Sequence, residues 1–361
     1  MLKLLTQTWC QTMNNIFKLI DKLALTHSLK LEEYKILIEN QTPENAEYLT
    51  KKAVEQRQKI YGNKVFIRGL IEISNICKNN CLYCGIRCGN TDCTRYRLSE
   101  NDIYTSCDEG YSLGFRTFVL QGGEDLHFTD EKLCTIIKNI KEKYPDCAIT
   151  LSLGERSKSS YEKLFNAGAD RYLLRHETAN RDHYNKLHPE NMSFDSRMKC
   201  LENLKEIGFQ VGCGFMVGSP FQSTQNLAQD LKFIEEFKPQ MCGIGPFIAH
   251  HNTPFADYKS GTLETTLYLL SIIRLIDPNI LLPATTALGT IHQSGREMGI
   301  LAGANVVMPN LSPLSVRKKY ELYDNKICTG DESAQSINDL KSRMKNIGYE
   351  IVTDRGDYKA R

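Results

Sequence analysis

Apolar residues recur at helical spacing in the first sixty positions: Ile16, Ile20, Leu23 and Leu25, then Ala46, Leu49 and Ala53. Side chains three and four apart share one helix face, so this stretch predicts two or three amphipathic helices. From Val65 the period changes. Short apolar runs occur at 65–74 (VFIRGLIEIS), 117–121 (TFVLQ), 148–153 (AITLSL), 171–175 (RYLLR), 211–217 (VGCGFMV), 241–247 (MCGIGPF), 280–286 (ILLPATT) and 305–309 (NVVMP). Longer amphipathic stretches such as DEKLCTIIKNIKEKY, NLAQDLKFIEEF and LETTLYLLSIIRLI lie between them. Strands alternating with helices predict a parallel sheet with helical crossovers, and eight such units in about 250 residues is the size of a (β/α)8 TIM-type barrel.

In such a barrel the reacting groups sit past the C-terminal ends of the strands. The unusual residues of this chain fall at those places. A cysteine-rich segment follows the first run, GGED (122–125) the second, LGE (153–155) the third and RHET (175–178) the fourth. VGSP (217–220), FIAHHNTP (247–254), TTALGT (285–290) and MPN (308–310) follow the remaining four. One mouth built from eight loops is expected. The expected division is an N-terminal helical extension over 1–62, the barrel over 63–310, and a short C-terminal extension over 311–361 that packs on it, with a helix near 334–347.

Composition narrows the classes. The 361 residues are 41% hydrophobic and 24% charged with a net charge of +2, enough for a large core and too balanced to argue for nucleic acid or an anionic membrane as partner. The first thirty residues lack a continuous apolar segment and a small-residue cleavage site, and no run of eighteen apolar residues occurs, so neither a signal peptide nor a membrane span is expected. A reducing, cytoplasmic setting follows as the expectation, and disulfides are disfavoured there. Thirteen cysteines then point to metal or redox chemistry.

Cys77, Cys81 and Cys84 are spaced C-x3-C-x2-C within SNICKNNCLYCGIRCGN (74–90), with Cys88 in the same segment and Cys93 beyond it. A zinc site needs four ligands, and Cys88 or Cys93 could supply the fourth. Thiols simply buried in a core fit poorly in so polar a loop. Three thiolates suit a 4Fe-4S cube, satisfying three irons and leaving the fourth open, and an open position marks a catalytic site. Cys88 and Cys93 are spare thiols in that reading.

The cysteine spacing, with Tyr83 before the last cysteine on the first loop of a barrel, resembles the radical S-adenosylmethionine (SAM) superfamily. The resemblance implies that the open iron chelates the amino and carboxylate groups of SAM, and that one electron splits the S–C5′ bond to give methionine and a 5′-deoxyadenosyl radical. Gly122, Gly123 and Glu124 are similar to the second-strand motif that hydrogen-bonds the SAM ammonium. Tyr83 would lie beside the adenine, and VGSP would cradle it; a packed aromatic and a tight turn are the plainer readings of these two.

The similarity extends through ISNICKNNCLYCGIR, TRYRL, VLQGGED, TLSLGE, GADRYLLRHETAN, GFMVGSP, GIGPFIAHHNTP, PATTALGT and GANVVMPN, and over residues 65–328 the chain resembles the HydE family, radical SAM maturases of FeFe-hydrogenase. This implies a substrate, an iron–carbonyl–cyanide–cysteine complex supplied by a sister tyrosine-cleaving enzyme, on the way to the two-iron part of the hydrogenase cluster. It also implies a GTPase scaffold maturase as recipient and a reducing electron donor. By motif, Ser152, Glu177 and Arg197 would join in holding SAM, while Arg175, Thr285, Thr286 and Tyr323 would line the substrate chamber. Strand alternation turns Arg175 to the same side as Leu173 and Glu177. The plainer alternatives are a surface arginine at 197, a structural salt bridge at 175 and threonines bonded to strand carbonyls. His176, His250, His251 and His292 have no assigned role. Many family members carry a further cysteine trio near the C-terminus; here no cysteine follows Cys328, so no second cluster is expected there.

Biotin synthase would need inward cysteines, and Cys147 and Cys213 sit one residue out of register, which reverses the face. Methylornithine synthase shares the RYRL and GED stretches. An electron-transfer iron–sulfur protein would need a fourth firm ligand, and no hydrolase spacing is present.

Overall fold

The computed structural model describes residues 15–327 and 336–359. Helix α1 (15–26) is followed by α2 (Leu31–Glu39) and α3 (Pro43–Tyr61). Helix α3 starts at Pro43, whose missing N–H costs nothing there, and Thr42 caps it by accepting from the Asn45 N–H. Helices α2 and α3 lie on two barrel helices, α9 (Thr224–Phe237) and α10 (Leu263–Ile276). This accounts for the composition of α10, which is buried continuously from Tyr268 to Ile276 because it has neighbours on both sides.

The barrel sheet runs β2 (Gly69–Ser74), β3 (Thr117–Gly122), β4 (Ala148–Ser152), β5 (Arg171–Leu173), β6 (Gln210–Cys213) and β8 (Met241–Cys242), each parallel to the next. It closes through the bridges Met241–Leu281 and Pro283–Val306, then through β10 (Val306–Val307), which pairs with β1 (Lys64–Ile67). The eight-unit barrel expected from the apolar runs is present, with three refinements. The first run breaks at Arg68 into β1 and β2, which join different neighbours. The fifth and sixth runs are interrupted at Gly214 and Gly243, resuming as β7 (Met216–Val217) and β9 (Gly245–Pro246). A side chain at Gly214 would stand 2.0 Å from the Gly243 carbonyl oxygen, so the two backbones meet too closely for anything but glycine. The seventh run forms only bridges because Pro283 has no N–H to give a ladder.

The tail adds α14 (Ile337–Asn346) and a strand the apolar pattern did not reveal, β11 (Glu350–Val352), parallel to β1 on its free side. Beyond it the chain crosses beneath the barrel, where Arg355 O accepts from Thr117 Oγ1 and Asp357 pairs with the buried Arg171. Phe66, Met241, Leu281 and Val306 form an apolar floor with Tyr61.

Above that floor the interior is not filled. The inward residues Gln121, Ser152, Leu173, Arg175, Pro283, Thr285 and Met308 keep accessible surface, while their outward neighbours Leu120, Leu151, Leu174, Ala284 and Val307 are buried under the helices. Side chains alternate across a strand, so this pattern describes a chamber inside a closed wall. Among the described residues no helix is long and apolar enough to cross a membrane.

Candidate active site

The loop after β2 has almost no regular structure, and side chains fix it instead. Arg95 donates to the carbonyls of Asn75, Ile86, Arg87 and Asn90. The Asn75 amide donates to Thr94 O and Lys319 O and accepts from the Tyr96 N–H, and Asn80 accepts from Arg87 Nε and the Gly89 N–H. This explains the loop's Asn- and Arg-rich composition: many backbone groups that a sheet would have satisfied are met by side chains, and others by backbone from neighbouring loops. Cys77 Sγ accepts from the Glu124 N–H at 3.4 Å, and Cys81 Sγ lies 3.6 Å from Met192 Sδ. A methyl at Gly123 would fall 2.3 Å from Ile76 O and 2.7 Å from Cys77 Cβ. Glycine at 123 thus admits the cysteine loop itself.

The donor set fits an iron–sulfur cluster. Burial raises the pKa of all three thiols, that of Cys84 to about 12, and each ionised neighbour raises the others further, Cys84 acting on Cys81 and Cys77 on Cys84. Such thiols become thiolates when a metal centre neutralises them. A closed zinc site would need a fourth ligand beside these three. Cys88 is exposed and Cys93 accepts from Asn75 Nδ2 at 3.5 Å.

A polar network leads inward from this loop. Glu124 Oε1 accepts from the Glu155 N–H at 2.9 Å, and its Oε2 lies 3.1 Å from Lys78 Nζ. Glu155 in turn holds Arg197 Nε at 2.7 Å, and Arg197 Nη1 donates to Arg175 O at 2.6 Å. Arg197 is therefore a buried, oriented group rather than a surface arginine, and Nη2 is its one nitrogen without a hydrogen bond to a described residue. Glu155 was placed at the barrel mouth by its position after the third run, but nothing in the sequence assigned it this role.

Glu177 has φ +64°, a left-handed conformation that costs a non-glycine residue on the order of 1 kcal/mol or more, and its N–H donates to Gly214 O at 3.0 Å. Its Oε2 lies 3.2 Å from Arg175 Nη2, close enough for an ion pair yet misaligned for a hydrogen bond. The ion pair of the plainer reading is thus present, while Glu177 Oε2 and Arg175 Nε and Nη2 are buried without a hydrogen-bond partner. Thr285 Oγ1 is likewise buried and unpartnered, facing the barrel interior, not a strand carbonyl.

Thr286 opens helix α11 (Thr286–Ile291), where its carbonyl accepts from Thr290 Oγ1 at 3.1 Å. Tyr323 lies beside Thr290, and burial raises its phenol pKa. Ser152 lines up with Gln121, and Gln121 with Glu72, on one inward layer. Tyr83 Oη is 3.1 Å from His188 Nε2, and Tyr83 packs beside Leu187, Met216, Phe247 and Phe255. Gly122 continues β3, where a Cβ would meet Ser74 O at 3.2 Å. His176 points outward, 3.3 Å from Asp230 and against Phe215 and Phe233, as a core histidine does. His292 accepts from the Ser294 N–H at a helix end. Cys213 faces outward beside Cys242, away from the chamber. Cys328 lies outside the described residues.

The model of the radical SAM superfamily matches residues 71–234, a span that includes the three cysteines and the network from Glu124 to Arg197. Barrel, thiol set and match together define a radical SAM enzyme. The chain is 44% identical to the FeFe hydrogenase maturase subunit HydE of Thermotoga maritima over 87% of its own length and 89% of that protein. It is 28% identical to 3-methylornithine synthase of Methanosarcina acetivorans, covering 91% of this chain and 92% of the relative. A crystal structure of methylornithine synthase matches with a TM-score of 0.82 at 26% identity, over 92% of this chain and 97% of that one. The chain belongs to the HydE family.

Proposed function

We propose that this protein matures FeFe-hydrogenase by acting on an iron–carbonyl–cyanide–cysteine complex during assembly of the two-iron subcluster. The observation that carries this reading is Arg175, whose guanidinium turns into the chamber with Nε and Nη2 lacking hydrogen-bond partners. A half-buried guanidinium that faces Glu177 across an ion pair and keeps Nε and Nη2 out of hydrogen bonds favours a further acceptor, and cyanide and carboxylate groups both accept from it. The 44% identity to a HydE subunit supports the same reading.

Cys77, Cys81 and Cys84 would hold one 4Fe-4S cluster, and with SAM it would supply one-electron reductive cleavage of the S–C5′ bond. Cys88, Cys93 and Cys328 stand outside this ligand set, and no second cluster is assigned. Glu124, Ser152, Glu177 and Arg197 hold SAM, with the carboxylates accepting from its ammonium or ribose hydroxyls and Arg197 donating to its carboxylate. Gly122 and Gly123 bring the second loop against the cysteines, and Tyr83 flanks the adenine. Arg175, Thr285, Thr286 and Tyr323 receive the substrate by donating to its cyanide or carboxylate groups. The apolar floor keeps water from the radical. A sister maturase supplies the complex, a GTPase scaffold receives the product, and a cytoplasmic donor supplies the electron.

Methylornithine synthase-like action on lysine is the alternative, favoured by the full-length match to that enzyme. Biotin synthase-like action loses support because Cys213 faces away from the chamber. Anaerobic SAM cleavage by the reduced, reconstituted protein separates the three. Stimulation by the iron complex and not by lysine or dethiobiotin is expected; stimulation by lysine would move the enzyme to the sister activity.

A further inference from the structure

We propose that the buried ion pair between Lys326 and Glu72 anchors residues 320–327 across the barrel mouth, and that Lys326 is thereby a positioning residue for Tyr323 in the substrate chamber. The second half of this statement rests on the reading of Tyr323 as a chamber residue; the first half stands without it.

Glu72 lies on β2 and is fully buried, facing inward in the same layer as Gln121 and Ser152. Lys326 comes from the C-terminal extension, 254 residues away, and its side chain is 7% exposed. The lysine Nζ meets Glu72 Oε1 at 2.5 Å and Tyr320 O at 2.8 Å, while Glu72 Oε2 takes Asn310 Nδ2 at 2.9 Å. Both carboxylate oxygens and two of the three lysine donors are therefore engaged, the kind of pairing under which a buried pair is tolerated and specifies one arrangement.

Between these ends the segment has no helix or strand, and it touches three of the loops that form the mouth. The Gly85 N–H, next to Cys84, donates to Leu322 O at 2.8 Å. The Asp324 N–H donates to Ala249 O at 3.0 Å, and the Asp324 carboxylate takes both the His251 N–H at 2.9 Å and His251 Nδ1 at 2.6 Å. The Ile327 N–H approaches Thr290 Oγ1 at 3.4 Å, and Tyr323 lies beside the same threonine. Gly85 is required by this strap, since a Cβ there would stand 2.2 Å from Glu321 O. His250, His251 and Asp324 are close enough to suggest a cation site, yet His250 Nδ1 already accepts from the Asn252 N–H and His251 Nδ1 is spent on Asp324. Their geometry is that of a clamp on the strap.

Backbone hydrogen exchange on the reconstituted holoenzyme tests the anchor. Lys326→Met and Glu72→Gln should each speed exchange at Gly85 and across 320–327 at least tenfold, with the amides of β3 and β4 unchanged, and Lys326→Arg should retain protection. The double variant removes both charges, so it tests the anchor even where a single replacement fails to fold; strap protection equal to wild type in the double variant overturns the proposal. Positioning is read separately, as a tenfold or larger rise in KM for the iron complex in Lys326→Met with iron content intact and recovery in Lys326→Arg. Faster strap exchange with an unchanged KM overturns the role for Tyr323 and leaves the anchor. Absence of turnover by the wild-type protein would fault the substrate reading alone, because exchange does not depend on it.

Discussion

Arg97 grips Asp125 with two hydrogen bonds, Nε to Oδ2 at 2.7 Å and Nη2 to Oδ1 at 3.0 Å, and so joins the RYRL stretch to the GED stretch. Ser74 Oγ adds a third bond to the same carboxylate at 2.7 Å. The far end of the cysteine loop is thereby tied to the loop that carries Glu124.

Replacing Asp125 with Asn should lower stability by about 2 kcal/mol, the scale of charge-assisted hydrogen bonds, and reduce the iron retained per chain. Burial works to raise the Asp125 pKa, but the bonds from Arg97, Ser74 and the His127 N–H prevail and hold it below its usual value. A depressed carboxylate stabilises fully above its unfolded pKa near 4 and loses that contribution as pH falls through the folded value. Urea unfolding of the cluster-free protein should show the gap between wild type and D125N at pH 7 and its shrinkage below pH 4.

Cys77→Ser, Cys81→Ser and Cys84→Ser should each abolish the reduced-cluster electron paramagnetic resonance signal that broadens or shifts with SAM. Cys88→Ser and Cys93→Ser should keep it along with full iron content. Loss of iron from either of the latter two would reinstate a four-thiol site.

Arg197→Ala should weaken SAM binding by about 2 kcal/mol, near thirtyfold, because its remaining donor has lost its place. Glu155→Gln should cost less, on the order of tenfold, since the guanidinium stays and only its orientation loosens. Anaerobic calorimetry with SAM measures both.

Gly123→Ala should lower iron content and stability together, by about 1–3 kcal/mol, because the new methyl meets backbone atoms of the cysteine loop that cannot step aside. Gly62→Ala is the control. Its φ of +58° strains an alanine, yet nothing lies within 4 Å, so stability should fall by about 1 kcal/mol with iron content unchanged.

Much of this was legible along the chain because eight apolar runs and the loops behind them follow simple periodicities. What escaped depends on contacts between distant segments. The break at Arg68 reflects two different strand partners, which no local pattern encodes. The approach of Gly214 to Gly243 and of Gly85 to Glu321 is visible only when the two backbones are side by side. Glu155 and Glu72 looked like ordinary polar residues on a loop and a strand; their partners Arg197 and Lys326 lie 42 and 254 residues away. Strand β11 is three residues long, too short to register as a period.

Delivery of an iron–carbonyl–cyanide–cysteine complex to the chamber of this radical SAM enzyme is tested by mass spectrometry of the adenosyl group after anaerobic turnover with that complex and SAM. An adenosyl adduct on the complex's cysteine, absent with lysine or dethiobiotin, is the predicted result. Adenosyl recovered solely as 5′-deoxyadenosine with the complex unaltered, while lysine is converted, would contradict it.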